Sequence, residues 1–166
     1  VNLQPSDING YYCPDDPMKR LSVNDQEAKL ISSLVNQMFV LEIGTGLGVS
    51  TRALAEKAKT VVSVDPDPWC HENVWPVLAK DLHNVVFLKQ IPNNGRFDAI
   101  FIDGDHSYEA VVSDIENSRR VAVPGCVYIF HDSRIPDVKK AIREQFKEWV
   151  DCSTAAGIGV AWHETV

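Results

Sequence analysis

From Ser22 almost to its end, the chain alternates short apolar runs with stretches where apolar residues recur every three or four positions. Phe39–Ile43 (FVLEI), Thr60–Val64 (TVVSV), Val85–Leu88 (VVFL), Phe97–Ile102 (FDAIFI) and Cys126–Phe130 (CVYIF) are runs of the first kind and predict buried strands. Ile31, Leu34, Val35 and Met38 fall at i, i+3, i+4 and i+7, which predicts a helix, with Ser22 as its cap and Asp25 in its first turn. Further helices are expected near Val49–Ala58, over a broken stretch of roughly Trp69–Leu82 in which Pro76 marks a kink or restart, and through Val111, Ile115 and Val121. A last helix has Pro136 in its first turn and Val138, Ile142, Phe146 and Trp149 at helical spacing. The tail GIGVAWHE reads as a final strand. Residues 1–21 carry three prolines and no periodicity, so they read as an arm preceding a single domain over 22–166.

Strands that alternate with helices, and are apolar on both faces, predict an α/β fold: a doubly wound, mostly parallel sheet with helices on both sides. One connection departs from this. Only KQIPNNGR, residues 89–96, separates two strands, and a parallel crossover usually needs a dozen residues or more. An extended strap is therefore expected there, spanning at most roughly 26–29 Å. It would leave a thinly covered face that a second subunit could bury. Ligands of such sheets bind beyond the carboxyl ends of the strands. Those ends read Glu42–Gly48, Asp65–Trp69, Asp103–Tyr108 and His131–Asp132, and each carries an acid.

Composition narrows the partners. A formal charge of −7 argues against recognition of nucleic acid through its phosphates. No apolar run approaches the ~20 residues needed to span a bilayer. The four cysteines, Cys13, Cys70, Cys126 and Cys152, form no CxxC pair, which favours free thiols in a reducing cytoplasm over a zinc site.

VLEIGTGLGVST, Val40–Thr51, carries the sharpest signal. Its glycines at 44, 46 and 48 precede a helix start, where unpaired amides and the helix dipole favour an anionic group. Their spacing is G-x-G-x-G rather than the dinucleotide G-x-G-x-x-G, with Val49 where the third dinucleotide glycine would fall. Glu42, two residues earlier, suits an ammonium better than a pyrophosphate. Asp65 ends the second strand and suits the hydroxyls of a ribose.

With these residues, the chain resembles the class I S-adenosylmethionine-dependent methyltransferases, whose fold is Rossmann-like. FDAIFIDGDHSYEAV and GCVYIFHD narrow the resemblance to small O-methyltransferases of the macrocin and cephalosporin-pathway type, over about residues 25–163. The resemblance implies that Glu42, Gly44, Thr45, Gly46, Gly48, Ser50, Asp65 and Asp103 bind S-adenosylmethionine. Gln90 would stand where relatives hold the adenine with an acid after the third strand. It also implies Mg²⁺ or Mn²⁺ at Asp103, His131 and Asp132, although His131 departs from the family's oxygen ligands and shifts preference toward Mn²⁺, Fe²⁺ or Zn²⁺. Alternatively, His131 packs beneath the site. His106 stands where relatives carry a general base, or else it hydrogen-bonds locally at a helix start. The expected activity is metal-assisted O-methylation of a small hydroxylated metabolite or sugar. A silent cofactor-binding protein and a nicotinamide-dependent oxidoreductase are the alternatives.

Overall fold

The computed structural model describes residues 22–163; the arm expected over 1–21, with Cys13, lies outside them. Seven strands form one sheet: β1 (Phe39–Ile43), β2 (Thr60–Val64), β3 (Val85–Leu88), β4 (Phe97–Ile102), β5 (Ala122–Phe130), β6 (Trp149–Cys152) and β7 (Ile158–Trp162). Their order is β3-β2-β1-β4-β5-β7-β6. Strands β1 to β5 pair in parallel, and β7 runs antiparallel to both β5 and β6. The expected Rossmann-like, doubly wound architecture is the one observed. The chain moves outward from β1 through β2 to β3, then returns to the other side of β1 at β4. The order therefore reverses between β1 and β4, and the crevice for a ligand opens there.

Six helices cover the described sheet: α1 (Asp25–Leu34), α2 (Val49–Ala55), α3 (Pro68–Asn73), α4 (Trp75–Asp81), α5 (Tyr108–Arg119) and α6 (Pro136–Gln145). Two cores result, one on each face. Ile31 of α1, Val35 just past its end, and Ala53 and Leu54 of α2 meet Val40, Val61, Phe101 and Ile129 on one side. On the other, Val111, Ile115, Val138 and Ile142 from α5 and α6 meet Leu41, Ile100, Tyr128 and Phe130. Fully burying one such side chain contributes about 1.5–3 kcal/mol.

Two expectations need correction. The cap of α1 is Asn24, not Ser22: Asn24 Oδ1 accepts from the amides of Gln26 (2.9 Å) and Glu27 (3.0 Å), while Glu27 Oε2 accepts from the Asn24 amide (3.0 Å). This reciprocal capping box satisfies amides that a cap two residues earlier could not reach. The helix after Pro136 stops at Gln145, because Phe146 is already extended (φ −131°, ψ 133°). Trp149 keeps the helical spacing by coincidence and opens β6 at the sheet edge. The third helical stretch restarts at Pro76, one of the two outcomes expected: the break falls at Val74, and Pro76 sits in the first turn of α4, where it has no helical hydrogen bond to lose.

The strap over residues 89–96 contains no helix, as expected. From β3 to β4 the chain crosses three strand spacings, roughly 14 Å, and must also travel back along the strands. Eight residues nearly exhaust their reach on that diagonal. Ile91 is the strap's apolar contact with the core, and Val86 on β3 stays 49% exposed.

Candidate active site at the carboxyl ends of β1, β2, β4 and β5

The glycine turn after β1 is shaped mainly by the chain itself. Gly44 has φ +96°, and a Cβ there would lie 2.2 Å from the carbonyl oxygen of Asp103. The backbones leaving β1 and β4 approach so closely at the switch point that no side chain fits. Gly48 (φ +79°) would put a Cβ 2.5 Å from Leu78 of α4. Only Gly46 (φ +51°) faces open space, with nothing within 4 Å.

Glu42 lies fully buried beneath this turn. It accepts hydrogen bonds from Ser50 Oγ, Thr51 Oγ1 and Ser63 Oγ, each at 2.6 Å. Burial pushes its carboxyl up to about 7, against the three hydroxyls, which favour the charged form. Glu42 thus ties β1, α2 and β2 together and does not face the cavity.

Asp65 does reach it. Its Oδ2 accepts from the amides of Thr45 and Gly46, both at 3.1 Å, and its Oδ1 accepts from the Asp67 amide at 2.9 Å. Two amides of the glycine turn are therefore already bonded to a carboxylate of this chain. Of about four acceptor positions on a carboxylate, one remains, on Oδ1. The cavity beside it measures about 300 Å³. That is the lower end of the range for small-molecule sites. Gly44 to Leu47, Ser50 and Asp65 form one wall, Asp67, Trp69 and Cys70 a second, and Asp103, Gly104 and His106 a third, with Ser22 at the margin. A larger hollow of about 470 Å³ lies by Arg119, Phe146 and Trp162, where α5 and α6 end, away from the strands' carboxyl ends.

On the β4–β5 side, acids and imidazoles satisfy one another. His131 is almost fully buried. Its Nδ1 lies 3.2 Å from Asp103 Oδ1 and 3.0 Å from Asp132 Oδ2, and its Nε2 lies 3.3 Å from Glu27 Oε2. Burial opposes a charged ring, but these carboxylates outweigh it and push His131 up to about 12. Burial likewise opposes a charged Glu27, yet His131 and the Asn24 and Ala156 amides hold it down at about 2. Asp132 sits well below the usual carboxylate range: the two histidines overcome its burial. Its backbone adopts φ +55°, a left-handed conformation that a non-glycine residue holds only at some cost. His106 Nε2 comes within 3.1 Å of Asp132 Oδ2 and 3.6 Å of Asp103 Oδ1 without completing a hydrogen bond to either. The pull of Asp103 and Asp132 nevertheless raises His106 to about 9.

Six of the residues expected around a cofactor, Gly44, Thr45, Gly46, Ser50, Asp65 and Asp103, line the cavity. Glu42 and Gly48 lie behind its wall. Gln90 lines a separate depression with Ile91 and Asn117, because β3 is the outermost strand on that side. Asp103, His131 and Asp132 each offer one ligand atom, all within 4.8 Å of one another, and two carboxylates with an imidazole suit a divalent ion. Asp67 falls inside the expected stretch Asp65–Trp69, whereas sequence reasoning missed Cys70 and Glu27. Glu27 had a visible signal, the N-x-x-E spacing after Asn24, but nothing local pointed to His131, 104 residues away. Among the described residues no helix is long and apolar enough to cross a membrane.

Residues 41–133, more than half of the chain, match the model of a family described as a methyltransferase domain. The chain belongs to that family. Membership sets aside the nicotinamide alternative. No curated protein matches the chain. Among solved structures, the methyltransferase domain is similar to an O-methyltransferase from Bacillus cereus in complex with S-adenosylhomocysteine, at 19% identity and a TM-score of 0.72 over 89% of this chain and 84% of that one. An O-methyltransferase of tomaymycin synthesis from Streptomyces achromogenes, in complex with S-adenosylmethionine, aligns at 19% identity and a TM-score of 0.70, covering 87% and 82%. The N-methyltransferase NodS from Bradyrhizobium japonicum aligns at 18% identity and a TM-score of 0.64, covering 92% and 100%. At these identities the likeness establishes the fold.

Proposed function

We propose that this methyltransferase domain uses S-adenosylmethionine to methylate a hydroxyl of a small metabolite or sugar. The observation that carries the reading is the cavity whose walls are the glycine turn and Asp65 on one side and Asp103 and His106 on the other. It joins a nucleoside-sized hollow to groups able to take a proton from a hydroxyl.

Bound S-adenosylmethionine supplies a methyl group already activated on a sulfonium, so the protein's task is chiefly placement. Asp65 offers Oδ1 to a ribose hydroxyl while its other oxygen holds the turn. Gly46 lets the ligand approach the backbone closely. Trp69 and Asp67 close the cavity's far side. Asp103, His131 and Asp132 would hold a divalent ion, which supplies Lewis acidity toward the acceptor hydroxyl. His106 is placed to take the hydroxyl proton from the third wall. Asp103 and Asp132 hold it protonated as long as their charge is uncompensated, so its work as a base requires that charge to be offset.

Calorimetric titration of EDTA-treated protein with S-adenosylhomocysteine, with NAD as control, tests the reading. Binding of the first alone is expected, followed by transfer of labelled methyl from S-adenosylmethionine to members of a hydroxylated acceptor panel. Folded protein that binds neither compound would refute it.

A further inference from the structure

His131 is enclosed by carboxylates from three parts of the chain, and Glu27 is the one held most rigidly. Its Oε1 accepts from the Ala156 amide at 2.9 Å, and its Oε2 accepts from the Asn24 amide at 3.0 Å. It is 1% exposed and has no room to swing away. The cap of α1 and the loop before β7 thus aim one carboxylate oxygen at His131 Nε2.

A carboxylate behind one ring nitrogen fixes a proton there and turns the lone pair of the other nitrogen outward, toward a ligand. Here the other nitrogen, Nδ1, faces Asp103 Oδ1 and Asp132 Oδ2 at 3.2 and 3.0 Å. Between Nδ1 and these two oxygens either a proton or a cation must lie, and the three atoms are close enough to share one divalent ion. Imidazole in the donor set favours first-row transition ions over Mg²⁺, which prefers oxygen alone.

We propose that Glu27 is the positioning residue that presents His131 Nδ1 as a metal ligand beside Asp103 and Asp132, and that this set selects a divalent transition ion such as Mn²⁺ over Mg²⁺. The inference deepens the methyltransferase reading and rests on it for the use of the ion.

The test is a Mn²⁺ titration of EDTA-treated protein followed by electron paramagnetic resonance, with Mg²⁺ as competitor and S-adenosylhomocysteine binding measured in parallel. Mn²⁺ should bind, and Mg²⁺ should displace it only at tenfold or greater excess. Glu27→Gln should weaken Mn²⁺ about 10–100-fold while S-adenosylhomocysteine binding persists. Mg²⁺ competing at equal concentration, an unaltered Mn²⁺ affinity in Glu27→Gln, or wild-type protein that binds S-adenosylhomocysteine but no Mn²⁺ would each overturn it. The last result would mean that His131 is doubly protonated and itself bridges the acids. Mn²⁺ binding without any S-adenosylhomocysteine binding would instead refute the functional reading and leave the metal site standing. If Glu27→Gln does not fold, the Co²⁺-loaded wild type replaces it. One strongly shifted, slowly exchanging imidazole N–H proton is expected there, and its absence counts against the proposal.

Discussion

Acids close both halves of the site, but they are satisfied in opposite ways. On the β1–β2 side, Glu42 has three hydroxyls and Asp65 three backbone amides, all neutral donors from neighbouring elements. On the β4–β5 side, Asp103 and Asp132 have two histidines, and His131 in turn has Glu27. Neutral donors fix a carboxylate without making it depend on anything added, and that half is scaffold. The acids beside imidazoles are instead balanced by charge, which a bound cation can also supply. The difference separates a half held by neutral donors from a half held by charge.

The comparison breaks most sharply at His106. Replacing it with Asn should lower kcat by about 10²–10⁴-fold while S-adenosylhomocysteine affinity is retained, as expected for loss of a general base. Steady-state kinetics beside calorimetry would show it. A kcat within tenfold of wild type would return His106 to a local structural role.

On the scaffold side the glycines give a smaller, graded effect. Gly44→Ala combines a left-handed backbone with a clash against the Asp103 carbonyl, and should cost about 2–5 kcal/mol in chemical denaturation. Gly46→Ala meets only the backbone term, about 1–2 kcal/mol. Equal costs at the two positions would mean that the turn relaxes and that the close approach of β1 to β4 is not a constraint.

A comparable effect is a pH dependence at Glu42. Its carboxyl is raised from 4.5 to about 7 in the folded protein, so the native state binds the extra proton and its stability falls as pH rises between those values. The loss is roughly 3 kcal/mol at most, complete above pH 7. Glu42→Gln should lack this component, so the variant gains on the wild type as pH rises from about 4.5 to 7. Parallel stability profiles over that range would show that the three hydroxyls keep Glu42 ionised throughout.

Much of this was legible along the chain because it is local. Apolar runs of four to six residues had to be strands, though Val85–Leu88, at the sheet edge, is not a buried one. Alternation with helices required a parallel sheet, and eight residues at 89–96 could not form a crossover helix. The acids at the strand ends followed from that topology, and Asp65, Asp103 and His106 stand on the cavity wall. Glu42 was read toward the ligand because side-chain direction beyond a strand end depends on which hydroxyls wait beneath. Ser50, Thr51 and Ser63 come from two other elements. Gln90 was displaced by strand order, which no local pattern encodes.

The sequence by itself determined the elements, the parallel sheet and the class of residues at each strand end, since periodicity, turn chemistry and crossover length act within a few residues. Only the tertiary structure decided which glycine faces open space, which acid is tied beneath the turn, and that Glu27 stands behind His131. Those outcomes depend on distances between segments up to 129 residues apart, set by packing two cores against one sheet.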